Sequence, residues 1–395
     1  MGMRAIVGIA LAAVVVGAAV WVARGSMAGQ TSAARAGAQT TSWGEPDLQG
    51  IWTIETDTPV QRSARFADKE TFTDEERARL DKERSALLGR DKRLERGTEQ
   101  DVAGAYNAVF NTVRRTGKRT SLVVDPPDGR IPPQTAEAQQ RAAEDRAFRV
   151  SLLQATDTCK NKAPACAGGK YDPAPSPRLA DLPPRYNTGR MNRHDTPEDG
   201  SLGDRCLSGT IPDLPTAFGG NFLRIVQTPG GISIYYDTGQ GQGFQRNIVM
   251  DGRAHLPSTI RQTLGDSRGH WEGNTLVIDV TNFSPKTDFF GSRENKHLIE
   301  RWTRTSPSAI EYAVTVEDPT VWTRPWTMKI EYNKQSDEQN RVYYEPRCHE
   351  GNYAFPALML AARLAEKDYA AGRGPRPDTK DNATDFVGGE GNPLQ

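Results

Sequence analysis

The sequence predicts a mainly β protein: an antiparallel, closed, lipocalin-like barrel of about 8–10 strands, with peripheral helices and long loops. Three observations predict it. First, apolar residues alternate with polar ones in several runs: Ile232, Ile234 and Tyr236; Leu276, Ile278 and Val280; Ile310, Tyr312, Val314 and Val316; Met328, Ile330 and Tyr332. A period of two puts one face of an extended strand into a core. Second, turn chemistry and not helical periodicity separates the runs: Pro229-Gly230, Asp251-Gly252, Glu272-Gly273-Asn274, Ser306-Pro307 and the polar stretch from Asn333 to Asn340. Third, an open meander of this size leaves exposed edges, so it should close on itself or fold into a sandwich.

The chain has 50 basic and 50 acidic side chains. They are interspersed, so the electrostatic footprint of a nucleic-acid binder is absent. Arg4 precedes an apolar run from Ala5 to Ala23, and Ser26-Met27-Ala28 and Ala34-Arg35-Ala36 are small-x-small cleavage candidates. Residues 1–28 therefore read as a secretory signal peptide, and the protein as periplasmic or secreted. An uncleaved anchor is the alternative, because the run approaches the ~20 residues that span a bilayer. Once the segment is cleaved, no membrane span is expected. Residues 29–42 read as a flexible linker.

Residues 43–220 are expected to hold a first strand, helical decorations and a Pro-rich wrapping loop. The first strand contains Gly50-Ile51-Trp52. This Gly-x-Trp resembles the opening motif of lipocalin-like barrels, in which the Trp plugs one end. Thr73-Asp74-Glu75-Glu76 is a capping box that opens a charged surface helix to about Glu95. Leu122-Val123-Val124 and Asp125-Pro126-Pro127-Asp128-Gly129 read as a strand and a stiff turn. A second helix follows from Thr135 to about Leu153, with Ala138, Ala142 and Phe148 on its apolar side. Residues 221–350 should be the barrel core and 351–372 a last helix packed across a barrel end or flank. Residues 373–395 should be a disordered tail.

An even cysteine count behind an export signal suggests disulfides. Three pairings of Cys159, Cys166, Cys206 and Cys348 are formally possible. The favoured one joins Cys159 to Cys166 in a small ring and Cys206 to Cys348 across the barrel segment. No Cys-x-x-Cys or zinc spacing occurs, so no metal site is assigned.

Several motifs resemble, in order, those of a large group of exported bacterial proteins. They are Asp47-Leu48-Gln49-Gly50-Ile51-Trp52, Asp125-Pro126-Pro127-Asp128-Gly129-Arg130-Ile131-Pro132, Gly265-Asp266-Ser267-Arg268-Gly269, Trp271-Glu272-Gly273-Asn274-Thr275-Leu276-Val277-Ile278-Asp279 and Cys348-His349-Glu350-Gly351-Asn352-Tyr353. The resemblance spans about Trp43 to Tyr369. It implies export and a shared fold, and it carries no chemistry.

Polar residues gather around the turns of the meander. His255, Asp266, His349 and Glu350 are the catalytic candidates, because imidazole beside carboxylate suits acid–base work near neutral pH. Arg253, Arg268, Trp271, Trp322, Arg324, Trp326 and Tyr343 are the ligand-binding candidates, aromatics and cations suited to flat or charged molecules. Gly265-Asp266-Ser267-Arg268-Gly269 fits Gly-x-Ser-x-Gly literally, but no strand–elbow–helix context surrounds it. P-loop, Gly-x-Gly-x-x-Gly and His-Glu-x-x-His signatures are absent. The expectation is an exported barrel that binds a small, partly apolar molecule at its mouth. One alternative is a secreted hydrolase or isomerase that uses His and carboxylate acid–base or metal chemistry. Another is a non-catalytic envelope interaction module. The sequence specifies no cofactor and no protein partner.

Overall fold

A computed structural model describes residues 39–88, 114–177, 194–200, 202–207, 209–215, 222–239, 242–335 and 348–380. The expected signal peptide, most of the linker, Tyr343 and residues 381–395 lie outside the described residues.

The strands in chain order are β1 (Gly50–Thr53), β2 (Thr56–Asp57), β3 (Arg115–Thr116), β4 (Val123–Asp125), β5 (Phe222–Thr228), β6 (Gly231–Gly239), β7 (Gln242–Val249), β8 (Asp266–Glu272), β9 (Thr275–Thr281), β10 (His297–Ser306), β11 (Ala309–Glu317) and β12 (Trp326–Lys334). β5 to β12 follow one another around the sheet, and β1 pairs with both β5 and β12. These nine strands close a barrel. β4 adds to β12 beyond β1, and β2 pairs with β3 outside the ring.

The barrel is not wholly antiparallel, as the turn pattern had led us to expect. β7 meets β8 through one parallel bridge, Val249 to Arg268. Residues 250–265 run back along the wall, so β8 starts in the same direction as β7. A two-residue hairpin would have reversed it. Asp266 to Glu272, expected near turns, is itself strand β8.

The lumen is filled. Ile234, Ile278, Val280, Leu298, Val314 and Met328 point inward and are inaccessible to water. Trp302 stacks on Tyr332 at 5.6 Å and meets Tyr312 at 4.4 Å. Trp52 is fully buried, donates its indole N–H to the Leu48 carbonyl at 2.9 Å, and lies under the Arg304 guanidinium. At the end where β9 finishes, Phe283, Phe289 and Ile211 close the core around buried Lys296. Its Nζ donates to the Ile211 carbonyl at 2.8 Å and sits 4.2 Å from the Phe283 ring centre. Burial pulls its pKa down to about 7, against Asp288, Glu300 and Asp318.

One ion pair is enclosed in the lumen. Arg246 Nη1 donates to both Glu300 oxygens at 2.9 Å, and its Nε donates to Ser267 Oγ at 2.9 Å. The Trp302 indole adds a hydrogen bond to Glu300 at 3.1 Å. Burial works against the Arg246 charge, and Glu300 more than offsets it.

The helices are α1 (Asp74–Leu88), α2 (Ala136–Ser151), α3 (Asp157–Lys160), α4 (Cys348–Gly351) and α5 (Ala354–Ala370). Thr73 and Glu76 form the capping box of α1, and the Thr135 hydroxyl caps α2. Cys159 bonds to Cys166 and Cys206 to Cys348. Two expectations need correction. α5 buries none of its residues, and Leu358, Leu360 and Leu364 are exposed, so it makes no core contact with the barrel. Arg363 holds it to the carbonyls of His194 and Asp195, both at 3.0 Å. The start of the tail is ordered: Asp378 is buried and accepts from the Ser176 amide at 2.7 Å.

Removing one member of a buried pair strands the other as an unpaired charge. Glu300→Ala should cost about 3–5 kcal/mol in urea unfolding, and Arg246→Met with Glu300→Met together should regain most of that. A double variant no more stable than Glu300→Ala would contradict this.

Candidate functional site

Two surface sites outside the barrel collect the charged side chains. The first is a row across the outer wall. Along β8, β9, β10 and β11, every second side chain points out. This brings Asp266, Asp279, His297 and Glu317 to one end of the wall, and the 250–265 segment lays His255 over them. Gly265 makes the close turn into β8: its φ is +69°, and a Cβ there would sit 2.7 Å from the Thr281 carbonyl. His255 Nδ1 lies 2.9 Å from Asp266, and its Nε2 lies 2.9 Å from Asp279. His297 Nε2 lies 3.1 Å from Asp279, and its Nδ1 lies 3.0 Å from Glu317. Arg268 closes the row on Asp266 at 2.9 Å.

Carboxylate and imidazole thus alternate through five side chains. Both nitrogens of each ring face carboxylate oxygens. A general base needs a free nitrogen within reach of a substrate proton. Neither ring offers one. The row instead fastens the segment to the wall, with the Leu256 amide donating to Asp266 at 2.9 Å and Asn282 Nδ2 donating to the Leu256 carbonyl at 2.8 Å. No group of three or more His, Cys, Asp or Glu among the described residues is arranged to hold a metal ion.

The structure brings His255, Asp266 and Arg268 together. It does not bring His349 or Glu350 to them: both are exposed on α4 and share no hydrogen bond or salt bridge with the row. Trp322 and Trp326 are buried edge to face with ring centres 5.5 Å apart, so neither presents a face to a ligand. Arg324 pairs with Asp125 at 2.7 Å, and exposed Arg253 pairs with Asp251. Trp271 is half-buried and packs against the core. Ser267 points into the lumen on Arg246, which removes it as a nucleophile. Sequence reasoning missed Asp279, His297 and Glu317. Each is an ordinary outward residue of an alternating strand, and only the cross-strand register unites them.

The second site is a cleft of about 690 Å³ between α2 and the β9–β10 connection. α2 lines it with Ala138, Arg141, Ala142, Asp145, Arg146 and Arg149, a stripe at helical spacing. The opposite side supplies Asp288, Phe290, Arg293 and Glu294, with Thr320 and Val321 at the floor. Arg141 donates to Glu137 and to the Thr320 carbonyl, both at 2.7 Å. Arg293 reaches Asp288 at 3.1 Å and Asp145 at 3.4 Å. Among the described residues, Arg146 and Arg149 make no hydrogen bond or salt bridge. Burial holds the Arg149 guanidinium below the usual arginine range; Asp288 opposes this, and Arg293 and Arg146 add to it. Sequence reading of α2 followed its apolar residues and passed over Arg141, Asp145 and Arg149 at i, i+4 and i+8.

No protein-family model matches this chain, and none of the curated proteins does. Among solved structures, a point mutant of the fluorescent protein UnaG is similar at 14% identity, over 34% of this chain and 86% of its own, with a TM-score of 0.19. At that score the similarity adds nothing on fold or ligand. The chain's own strand pairing defines its class: a mainly β protein built on a closed barrel. No helix among the described residues is long and apolar enough to cross a membrane.

The row has a pH signature. The hydrogen bond to Asp279 holds His297 above its ordinary 6.5, against burial. The same bond holds Asp279 below its ordinary 3.8. A raised imidazole stabilises the fold fully below 6.5 and stops as the pH rises through its folded value. A lowered carboxylate stabilises fully above 3.8 and stops as the pH falls through its folded value. The row is therefore tightest from about pH 4 to about pH 6.5. His297→Gln should lower the melting temperature most in that window, with the gap shrinking by about pH 9.5. An equal gap at both ends would refute it.

Proposed function

We propose that this protein is exported and binds a small, partly apolar molecule in the cleft between α2 and the β9–β10 connection. Export rests on the N-terminal apolar segment, the motif resemblance and the two disulfides, which persist in oxidising compartments. One observation carries the binding reading. A concave site of about 690 Å³ places Phe290, Ala142 and Val321 beside charged groups, and pockets of roughly 300–1,000 Å³ with mixed lining suit small ligands. The location differs from the barrel mouth favoured by sequence reasoning: the cleft lies outside the barrel, whose inward side chains are buried. Acid–base catalysis at His255 lacks support, since both of its ring nitrogens are occupied.

Ala142→Trp would fill the cleft from α2 without touching the core. A thermal-shift panel of lipids, aromatics, glycans and organic acids should contain a compound that raises the melting temperature of the natural protein by several degrees. Ala142→Trp should abolish that shift. A panel that moves neither protein, or moves both equally, would count against the reading.

A further inference from the structure

We propose that the cleft takes a small organic carboxylate with an apolar body, its carboxylate held by Arg149 and Arg146 and its body lying against Phe290 and Ala142. This rests on the small-molecule reading above and names the class of molecule.

Arg141 is committed to Glu137 and a backbone carbonyl, and Arg293 to Asp288 and Asp145. Arg146 and Arg149 are left with no acceptor among the described residues. Arg149 is also crowded by two like charges, Arg146 and Arg293. The Arg146 and Arg149 side chains are solvent-exposed, and a guanidinium with like-charged neighbours gains from an incoming anion. Its planar fork matches a carboxylate through two parallel hydrogen bonds.

Arg141 is taken up by Glu137 and Arg293 by Asp288 and Asp145, so Arg146 and Arg149 are the cations left to meet an anion. The planar guanidinium fork matches a planar carboxylate. The apolar requirement comes from the opposite wall. Phe290 is 40% exposed there, its ring held edge-on by Phe289 and Trp326 and lining the same cleft as Ala142 and Ala138.

The experiment is titration calorimetry on the full-length protein with octanoate, octanamide and octyl phosphate. Octanoate should bind saturably, and octanamide at least about tenfold more weakly, the worth of a charge-assisted hydrogen bond. Arg149→Gln should lose about tenfold for octanoate and leave octanamide unchanged. Because Arg149 makes no hydrogen bond or salt bridge among the described residues, the melting temperature of Arg149→Gln should hold. Arg149→Lys, which keeps the charge and loses the fork, should lose severalfold and serves if Arg149→Gln fails to fold. Equal affinity for octanoate and octanamide, an unaffected Arg149→Gln, or tighter octyl phosphate would overturn the carboxylate assignment. If none of the three binds while another compound gives a shift that Ala142→Trp abolishes, the class is wrong and the cleft stands. If Ala142→Trp changes nothing for any compound, the underlying reading fails with it.

Discussion

A lumen packed shut is the constraint on which the other features depend. A barrel of about eight strands has an interior just wide enough for side chains, and here nine strands close through the short β1. Trp302, Tyr312 and Tyr332 fill the middle, Trp52 is fully enclosed, and Phe283, Phe289 and Lys296 close the end where β9 finishes. Closure removes sheet edges, which would otherwise pair with other chains. Outside the ring, α2 and the long connections supply concave surface.

The same constraint sorts the charges. Inside, Arg246 and Glu300 neutralise each other, because an unpaired charge in that environment would cost several kcal/mol. On the outer wall, Asp266, His255, Asp279, His297 and Glu317 form a row whose rings have no free nitrogen. That row holds a segment in place and leaves nothing over for chemistry. The α2 cleft is different, since two of its four arginines end without an acceptor among the described residues. An imbalance of this kind is what a charged ligand corrects.

Much of the barrel could be read in advance because its strands obey period two. β11 and β12 alternate cleanly, and their inward residues are the buried ones, while β9 departs only at buried Val277. β8 was obscured because the first two of its inward residues are small. Ser267 faces Arg246, and a Cβ on Gly269 would meet Met250 Sδ at 2.5 Å. The enclosed ion pair had left a trace: Glu300 sits between Leu298 and Trp302 in an apolar stripe, and Arg246 between Phe244 and Ile248. The parallel step at β8 left none, because the direction of a strand does not show in its alternation. His255, Asp266 and Arg268 were legible as neighbours of one turn region. Their partners on β9, β10 and β11 required the register. The cleft joins residues more than 130 positions apart, such as Asp145 and Arg293, and no local pattern predicts such a meeting.

The most direct test of an external carboxylate site is hydrogen–deuterium exchange of the full-length protein with and without octanoate. The account predicts added protection in residues 136–151 and 284–294, with the strands β6, β7 and β9 unchanged. Protection confined to β6 and β7, as a ligand entering the lumen would give, would contradict it.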